Sequence, residues 1–295
     1  MQRILRFIEK CFPKLYNRLK NNEFINNLYA YFHLFIFILT KEIKLFPFFL
    51  RCTISYYIFK NKSDITFNFK WNQITMPRHL KWLDWFIEVW SDKFYDKIKW
   101  YNHVLDLWGY IWDSALKFAQ NNKKVTVYEA HPDNYKYLIK NTENFKNIKA
   151  YNQAVVWDRN EKFIKIYGWS FNMWAWNWHC STRDNFIQVP AISILDILRN
   201  EHFDALKMDI EWAEYDCFDV LISSKEDNFL FKEWFIEFHL SKEKESDLNK
   251  VKNVVKWLES KNYRIQYYDV IINEYFVSLK ELKNNVFLVH FSNQW

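Results

Sequence analysis

Glycine is almost missing from this sequence: the 295-residue chain has two, Gly109 and Gly168. A domain of this size ordinarily carries about 7% glycine, because turns, helix ends and close backbone approaches use conformations that other residues adopt at a cost. Cysteine is sparse as well. The four cysteines (Cys11, Cys52, Cys180 and Cys217) form no C-x-x-C pair and show no metal-ligand spacing, which excludes a disulfide framework and a structural zinc site and points to a reducing, cytoplasmic setting. Long apolar runs are lacking too. Residues 28–39 form the most apolar stretch, but Lys41, Glu42, Lys44 and Pro47 follow it, so it falls short of the roughly 20 residues of a spanning helix. It also has no small-residue cleavage site of a secretory signal.

In contrast, tryptophan is abundant, at 16 residues. Glycine and tryptophan together amount to about 6% of the chain, close to the ordinary glycine content alone. In some bacteria the codon UGA is read as glycine, and a translation that assigns it to tryptophan prints Trp at each such codon. The many Lys, Asn, Ile, Phe and Tyr residues, with A/T-rich codons, agree with such a genome. Each motif is therefore read twice, as printed and with glycine in place of tryptophan.

Half of the chain is hydrophobic, 26% is charged and the net charge is +6, the composition of a folded globular protein. The basic excess is local: residues 1–62 hold 11 Lys and Arg against 3 Asp and Glu. Three readings of this segment stay open: a helical cap packed on the main domain, an interfacial helix making peripheral contact with an anionic membrane, and a spanning segment. From about residue 101, short apolar runs alternate with amphipathic stretches. The pattern predicts strands over 103–107, 124–129, 148–156, 162–167, 205–210 and 235–239, and helices over 114–120, 133–141 and 194–200. Such alternation means a parallel sheet covered on both faces.

The first strand leads into V-L-D-L-W-G-Y-I-W-D, residues 104–113, which with glycine at 108 and 112 becomes a strand, a glycine-rich loop and a helix. That arrangement lets a nucleotide-like cofactor lie against bare main chain. Glu129, about twenty residues on at the end of the next strand, is placed to accept both hydroxyls of a ribose. This spacing alone does not choose between NAD and S-adenosylmethionine.

Further motifs follow in order: V-Y-E-A-H-P-D-N-Y, N-Q-A-V-V-W-D, L-D-I-L and L-K-M-D-I-E-W-A-E-Y-D. Together with the first loop they resemble the FkbM-type S-adenosylmethionine-dependent methyltransferases over residues 101–240. Where that family has glycine, this sequence has Trp108, Trp112, Trp157 and Trp212. The resemblance implies a class I, Rossmann-like α/β fold over residues 76–295. Its seven-stranded, mostly parallel sheet would have helices on both faces and take its antiparallel strand from a hairpin within 267–291. A basic helical extension, residues 1–75, precedes it.

The resemblance also implies S-adenosylmethionine as cofactor. Asp106, Trp108, Gly109, Tyr110 and Trp112 would border its methionine part, Glu129 its ribose, and Ala130, Asn152, Gln153 and Ala154 its adenine. Methyl transfer to a hydroxyl oxygen needs in-line positioning and a base. Asp209, Glu211 and Glu214 lie within six residues at the end of a buried strand, with His239 on the next. Asp209, Glu211 and His239 are the candidates for that base, and no metal is expected, although Asp209, Glu211 and His239 could hold Mg²⁺ or Ca²⁺. The acceptor implied is a small molecule or a glycan sugar, not nucleic acid.

Residues 168–182 read as a glycine- and serine-rich lid with the replacement and, as printed, as an aromatic ridge of Trp174, Trp176 and Trp178. Two other functions stay open: a non-catalytic module binding carbohydrate or nucleic acid through stacked indoles, and an NAD-dependent oxidoreductase. Reading the gene decides the first question. Positions 108, 112, 157 and 212 are expected to be UGA codons, and UGG there overturns the replacement; Trp234 and Trp257, outside the motifs, are compatible with either codon.

Overall fold

The structure, a computed structural model, describes residues 64–69, 72–76, 95–167, 186–210, 213–226, 230–241, 244–269, 274–276, 278–279 and 285–293. The chain divides into two compact units, residues 1–67 with 77–91 and residues 68–76 with 92–295. Described residues from Asn68 onwards all belong to the second. The basic segment 1–62 and its apolar stretch 28–39, the loop 168–182, Glu211 and Trp212 lie outside the described residues. No described helix is long and apolar enough to cross a membrane.

The first two strands, β1 (Ile65–Phe69) and β2 (Asn72–Met76), form a two-stranded sheet. The alternating region then opens with β3 (Val104–Leu107), α1 (Asp113–Asn121), β4 (Val125–Tyr128), α2 (Pro132–Thr142) and β5 (Ile148–Tyr151). Every residue of β3 and β4 is buried, the signature of parallel strands covered on both faces. Local chemistry sets the helix ends. Pro132 opens α2 with a fixed φ and no wasted N–H, while the His131 ring accepts a bond from the Asp133 amide at 3.2 Å. At the end of α1, Asn122 turns to extended backbone, and both its amide and its side chain donate to the Phe118 carbonyl.

Past β5 come β6 (Ala154–Val156), β7 (Phe163–Tyr167), β8 (Phe186–Ser193), α3 (Ile194–Asn200), β9 (Ala205–Met208) and α4 (Glu214–Ser224). The chain continues through β10 (Glu233–His239), α5 (Lys244–Ser260), β11 (Tyr263–Asp269), β12 (Glu274–Phe276) and β13 (Val286–Asn293). The main sheet has the order β12-β11-β13-β10-β9-β3-β4-β5. Pairing is parallel from β5 through β10, and β13 enters antiparallel between β10 and β11. Among the described residues it has eight strands where the family resemblance implies seven; the extra strand is β12, a short antiparallel edge on β11.

Two other expectations need correction. The strand predicted over 148–156 is two, broken at Asn152 and Gln153, and β6 leaves the main sheet to pair with β8 in a second, three-stranded sheet of order β6-β8-β7. The central strand of that sheet, β8, was not predicted. It alternates inward and outward residues cleanly along its length, but Pro190 within it argues from sequence against a central strand.

The sheet has period-2 faces. Trp234, Ile236 and Phe238 of β10 share one buried cluster with Phe218 of α4 and Val251 and Leu258 of α5. Phe235 points the other way and meets Tyr95, which also packs on Phe118 of α1. Helices thus cover both faces. The chain leaves β3 toward β4 on one side and returns to β9 on the other, so the strand order reverses between β3 and β9, where open parallel sheets form a ligand crevice at their carboxyl edge.

Among the described tryptophans, Trp100 and Trp234 stand in opposite surroundings. Trp100 stands at a bend with φ 68° and is 85% exposed; its indole contributes no packing and its backbone takes the left-handed form that a side chain disfavours. Trp234 is fully buried, edge-on to Phe231 at 4.6 Å and to Trp257 at 6.0 Å. Trp100→Gly is therefore expected to stabilise the protein by about 1 kcal/mol, and Trp234→Ala to cost roughly 3–5 kcal/mol through the cavity it leaves. Urea unfolding checks both, and a destabilised Trp100→Gly would show that the side chain, not the backbone strain, decides at that turn.

Candidate functional site

The site begins with the loop that leaves β3. The amides of Trp108 and Gly109 both donate to the carbonyl of Tyr128, the last residue of β4, at 3.0 and 3.1 Å. A Cβ at Gly109 would lie 2.2 Å from Val127 Cγ1 and 3.1 Å from Leu138 Cδ2, so only glycine lets the loop lie this close to β4. Trp108, with φ 115°, is in a backbone region that L side chains rarely adopt. Its ring packs against Tyr110, 5.7 Å between centroids, and the Lys207 ammonium sits 5.3 Å from its centre. Trp112 is buried and precedes α1, with its carbonyl accepting from the Leu116 amide. Asn141 of α2 clamps the loop from the far side, donating to the carbonyls of Ile111 and Thr75.

Glu129 is the acid at the end of β4, and it is buried. Its carboxylate accepts from the Tyr110 amide at 2.9 Å, from the His131 amide at 2.8 Å and from the Asn134 side chain at 3.3 Å. Burial pushes its carboxyl up to about 8, against these hydrogen bonds. Asn152 holds the adjoining backbone by donating to the carbonyls of Glu129 and Ala130. Ala130 and Ala154 are buried beside it, and Gln153 is half-buried. The loop, the acid and the turn after β5 thus stand together, as the motif order implies.

The neighbouring strand ends carry a second group. Asp106 of β3 is buried and accepts from the Ser114 hydroxyl at 2.6 Å. Lys207 of β9 lies opposite it in register, its Nζ 3.6 Å from Asp106 Oδ1 and 3.5 Å from Asp209 Oδ2. Burial raises the carboxyl of Asp106, and raises that of Asp113 to about 6, with Lys207 opposing in both cases. Asp209 follows β9, tied to β3 by its amide on the Leu107 carbonyl. Glu214 opens α4 and accepts from the Ile210 amide. His239 ends β10, its Nδ1 3.7 Å from Glu214 and its Nε2 3.4 Å from Glu237. Asp209, Glu214 and His239 bring donor atoms within 4.8 Å of one another, all buried. They are the chemistry-bearing cluster at the crevice.

Lys207 and Glu237 had no role assigned from sequence. A signal was there: in A-L-K-M-D a lysine interrupts an apolar strand, and a buried charge requires partners.

A family sequence model described as the methyltransferase FkbM domain matches residues 99–265. No curated protein matches the chain. Solved structures similar to it include an rRNA methylase from Streptococcus thermophilus, 11% identical over 70% of this chain and 95% of that one, with a TM-score of 0.40. TYW2 of M. jannaschii in complex with AdoMet is 14% identical over 78% and 86%, with a TM-score of 0.43. Fibrillarin of Aeropyrum pernix with natively bound S-adenosyl-L-methionine is 10% identical over 78% and 82%, with a TM-score of 0.41.

The carboxyl of Glu129 makes a pH prediction. It holds its proton to about 8 in the folded chain against an ordinary value of 4.5, so the folded state binds more protons than the unfolded one between those values. Stability is full below about 4.5 and is lost as pH rises through 8. Asp113 and Asp106 act with the same sign. Thermal unfolding from pH 5 to 9 should show a falling midpoint, with a shallower fall in Glu129→Gln; equal slopes would contradict the assignment.

Proposed function

The chain belongs to the FkbM methyltransferase family, whose cofactor is S-adenosylmethionine, and we propose that it methylates a hydroxyl oxygen of a sugar in a glycan or of a secondary metabolite. One observation carries the reading of the site. At the point where the strand order reverses, a loop pressed onto β4 at Gly109 gives its next amide to an acid at the end of β4.

The donor set fits the cofactor. Glu129 Oε1 already accepts from the His131 amide and the Asn134 side chain and Oε2 from the Tyr110 amide, so Oε2 retains capacity for one ribose hydroxyl. Asp106 would meet the ammonium of the methionine part, while Ala130, Asn152, Gln153 and Ala154 would border the adenine with small and amide groups. The indoles of Trp108 and Trp112 are at odds with a cofactor against bare backbone; glycine at 108 removes the first and relieves its φ of 115°.

S-adenosylmethionine supplies, when bound, a methyl group on a sulfonium, and its transfer leaves S-adenosylhomocysteine. The residues at the ends of β9 and β10 manage the acceptor. As the new O–CH₃ bond forms, the hydroxyl proton passes to Asp209 or to His239. Each ring nitrogen of His239 faces a carboxylate, so an imidazole that takes the proton is met by negative charge on both sides. Glu211 stands in the same motif as a further candidate for this role.

Calorimetry with S-adenosylmethionine tests the reading on protein carrying Trp108→Gly and Trp112→Gly. Binding is expected, tighter than in the chain with tryptophan at both positions, and weakened by about 1–3 kcal/mol in Glu129→Ala, the scale of leaving buried polar groups without their partner. No binding in any form would refute it. Labelled methyl transfer to a panel of hydroxyl-bearing sugars should fall about 10²–10⁴-fold in His239→Gln or Asp209→Asn if that residue takes the proton, with cofactor affinity retained.

A further inference from the structure

All four residues of β9 are buried, and Lys207 is the charged one among them. An ammonium in so dry a strand is strongly unfavourable unless each of its protons finds an acceptor. Lysine has three such protons, and three oxygens stand within 3.6 Å: Asp106 Oδ1 at 3.6 Å, Asp209 Oδ2 at 3.5 Å and the carbonyl of Trp108 at 3.2 Å. They come from β3, from the segment after β9 and from the first loop. Glu237 of β10 and Asp113 of α1 add negative charge from two more elements, and together these carboxylates outweigh the burial that opposes the ammonium's charge.

Two of those oxygens belong to carboxylates with separate duties in the proposed reaction, one toward the cofactor and one toward the acceptor. The third belongs to the loop over which the cofactor lies. The bond to its carbonyl ties the cation to the loop as well as to the two carboxylates. With hydrogen bonds to the Trp108 carbonyl and to Asp209 Oδ2 and an ion pair to Asp106 Oδ1, the ammonium is engaged by protein oxygens rather than by substrate.

We propose that Lys207 is the positioning residue of the crevice: its ammonium holds the loop after β3 through the Trp108 carbonyl and sets Asp106 and Asp209 at one spacing, so that cofactor and acceptor ends are aligned by a single cation. This rests on the methyltransferase reading for its catalytic meaning, but the hold on the loop is independent of it.

Hydrogen exchange and calorimetry on the full chain, wild type against Lys207→Met and Lys207→Arg, test it. The amides of Trp108, Gly109 and Tyr110, bonded to Tyr128 and Glu129, are expected to exchange about ten-fold faster or more in Lys207→Met, the scale of losing a charged hydrogen bond. Those of α5 and β13 should keep their rates. Affinity for S-adenosylmethionine should fall by a similar factor, and Lys207→Arg, which keeps the charge and the donors, should recover most of both. Unchanged exchange at 108–110, or a uniform rise across the sheet, overturns the proposal. If Lys207→Met does not fold, Lys207→Gln reads the same amides. Failure to bind S-adenosylmethionine with either tryptophan or glycine at positions 108 and 112 would instead strike the methyltransferase reading, leaving the exchange comparison to judge the hold on the loop.

Discussion

The site depends on how closely one loop approaches one strand. The chain leaving β3 must pass over the end of β4 with no side chain between them: a Cβ at Gly109 would overlap Val127. Because the loop lies that close, the amides of Trp108 and Gly109 reach the Tyr128 carbonyl and the amide of Tyr110 reaches Glu129. The same path brings Ser114, at the start of α1, onto Asp106. One steric constraint thus sets the entry to α1 and the orientation of two acids.

Charge is the second organising element, and stability is not what it provides. Asp106, Asp209, Glu214, Glu237, Lys207 and His239 are all buried, and removing so many ionisable groups from water costs more than their mutual attraction typically returns. A core of apolar residues would serve the fold at least as well. The proposed function gives it a purpose, since groups that act in chemistry are held ready at the expense of local stability. Its location agrees: every member stands at or just beyond the carboxyl edge of β3, β9 and β10, beside the reversal in strand order.

The tryptophans join composition to conformation. Trp100 and Trp108 have positive φ, and a bulky side chain raises the energy of that backbone. Trp234 is buried in the core and Trp257 packs edge-to-face on it, half-buried; there an indole fills space that glycine would leave empty. Glycine suits the first pair and tryptophan the second. The scarcity of glycine is therefore most telling where the backbone is unusual.

Much of the fold was legible in sequence, because the alternation of short apolar runs with amphipathic stretches is a local pattern with a physical period. Strands β3, β4, β7, β9 and β10 and helices α1, α2 and α3 stand where that pattern predicts. The motifs single out Asp106, Gly109, Glu129 and Asp209, and the structure brings them to the same edge of the sheet. What the pattern could not carry was partnership across the sheet. That β6 deserts β5 for β8, that β8 tolerates Pro190 at its centre, and that Lys207 meets Asp106, Asp209 and the Trp108 carbonyl all depend on residues up to about a hundred positions apart. Sequence by itself determined the periodicity, the motifs and the glycine anomaly, which follow from local sterics and composition. Only the tertiary structure decided which buried charges face one another, because the cost of burying a charge is relieved by whichever partner the strand order brings within reach.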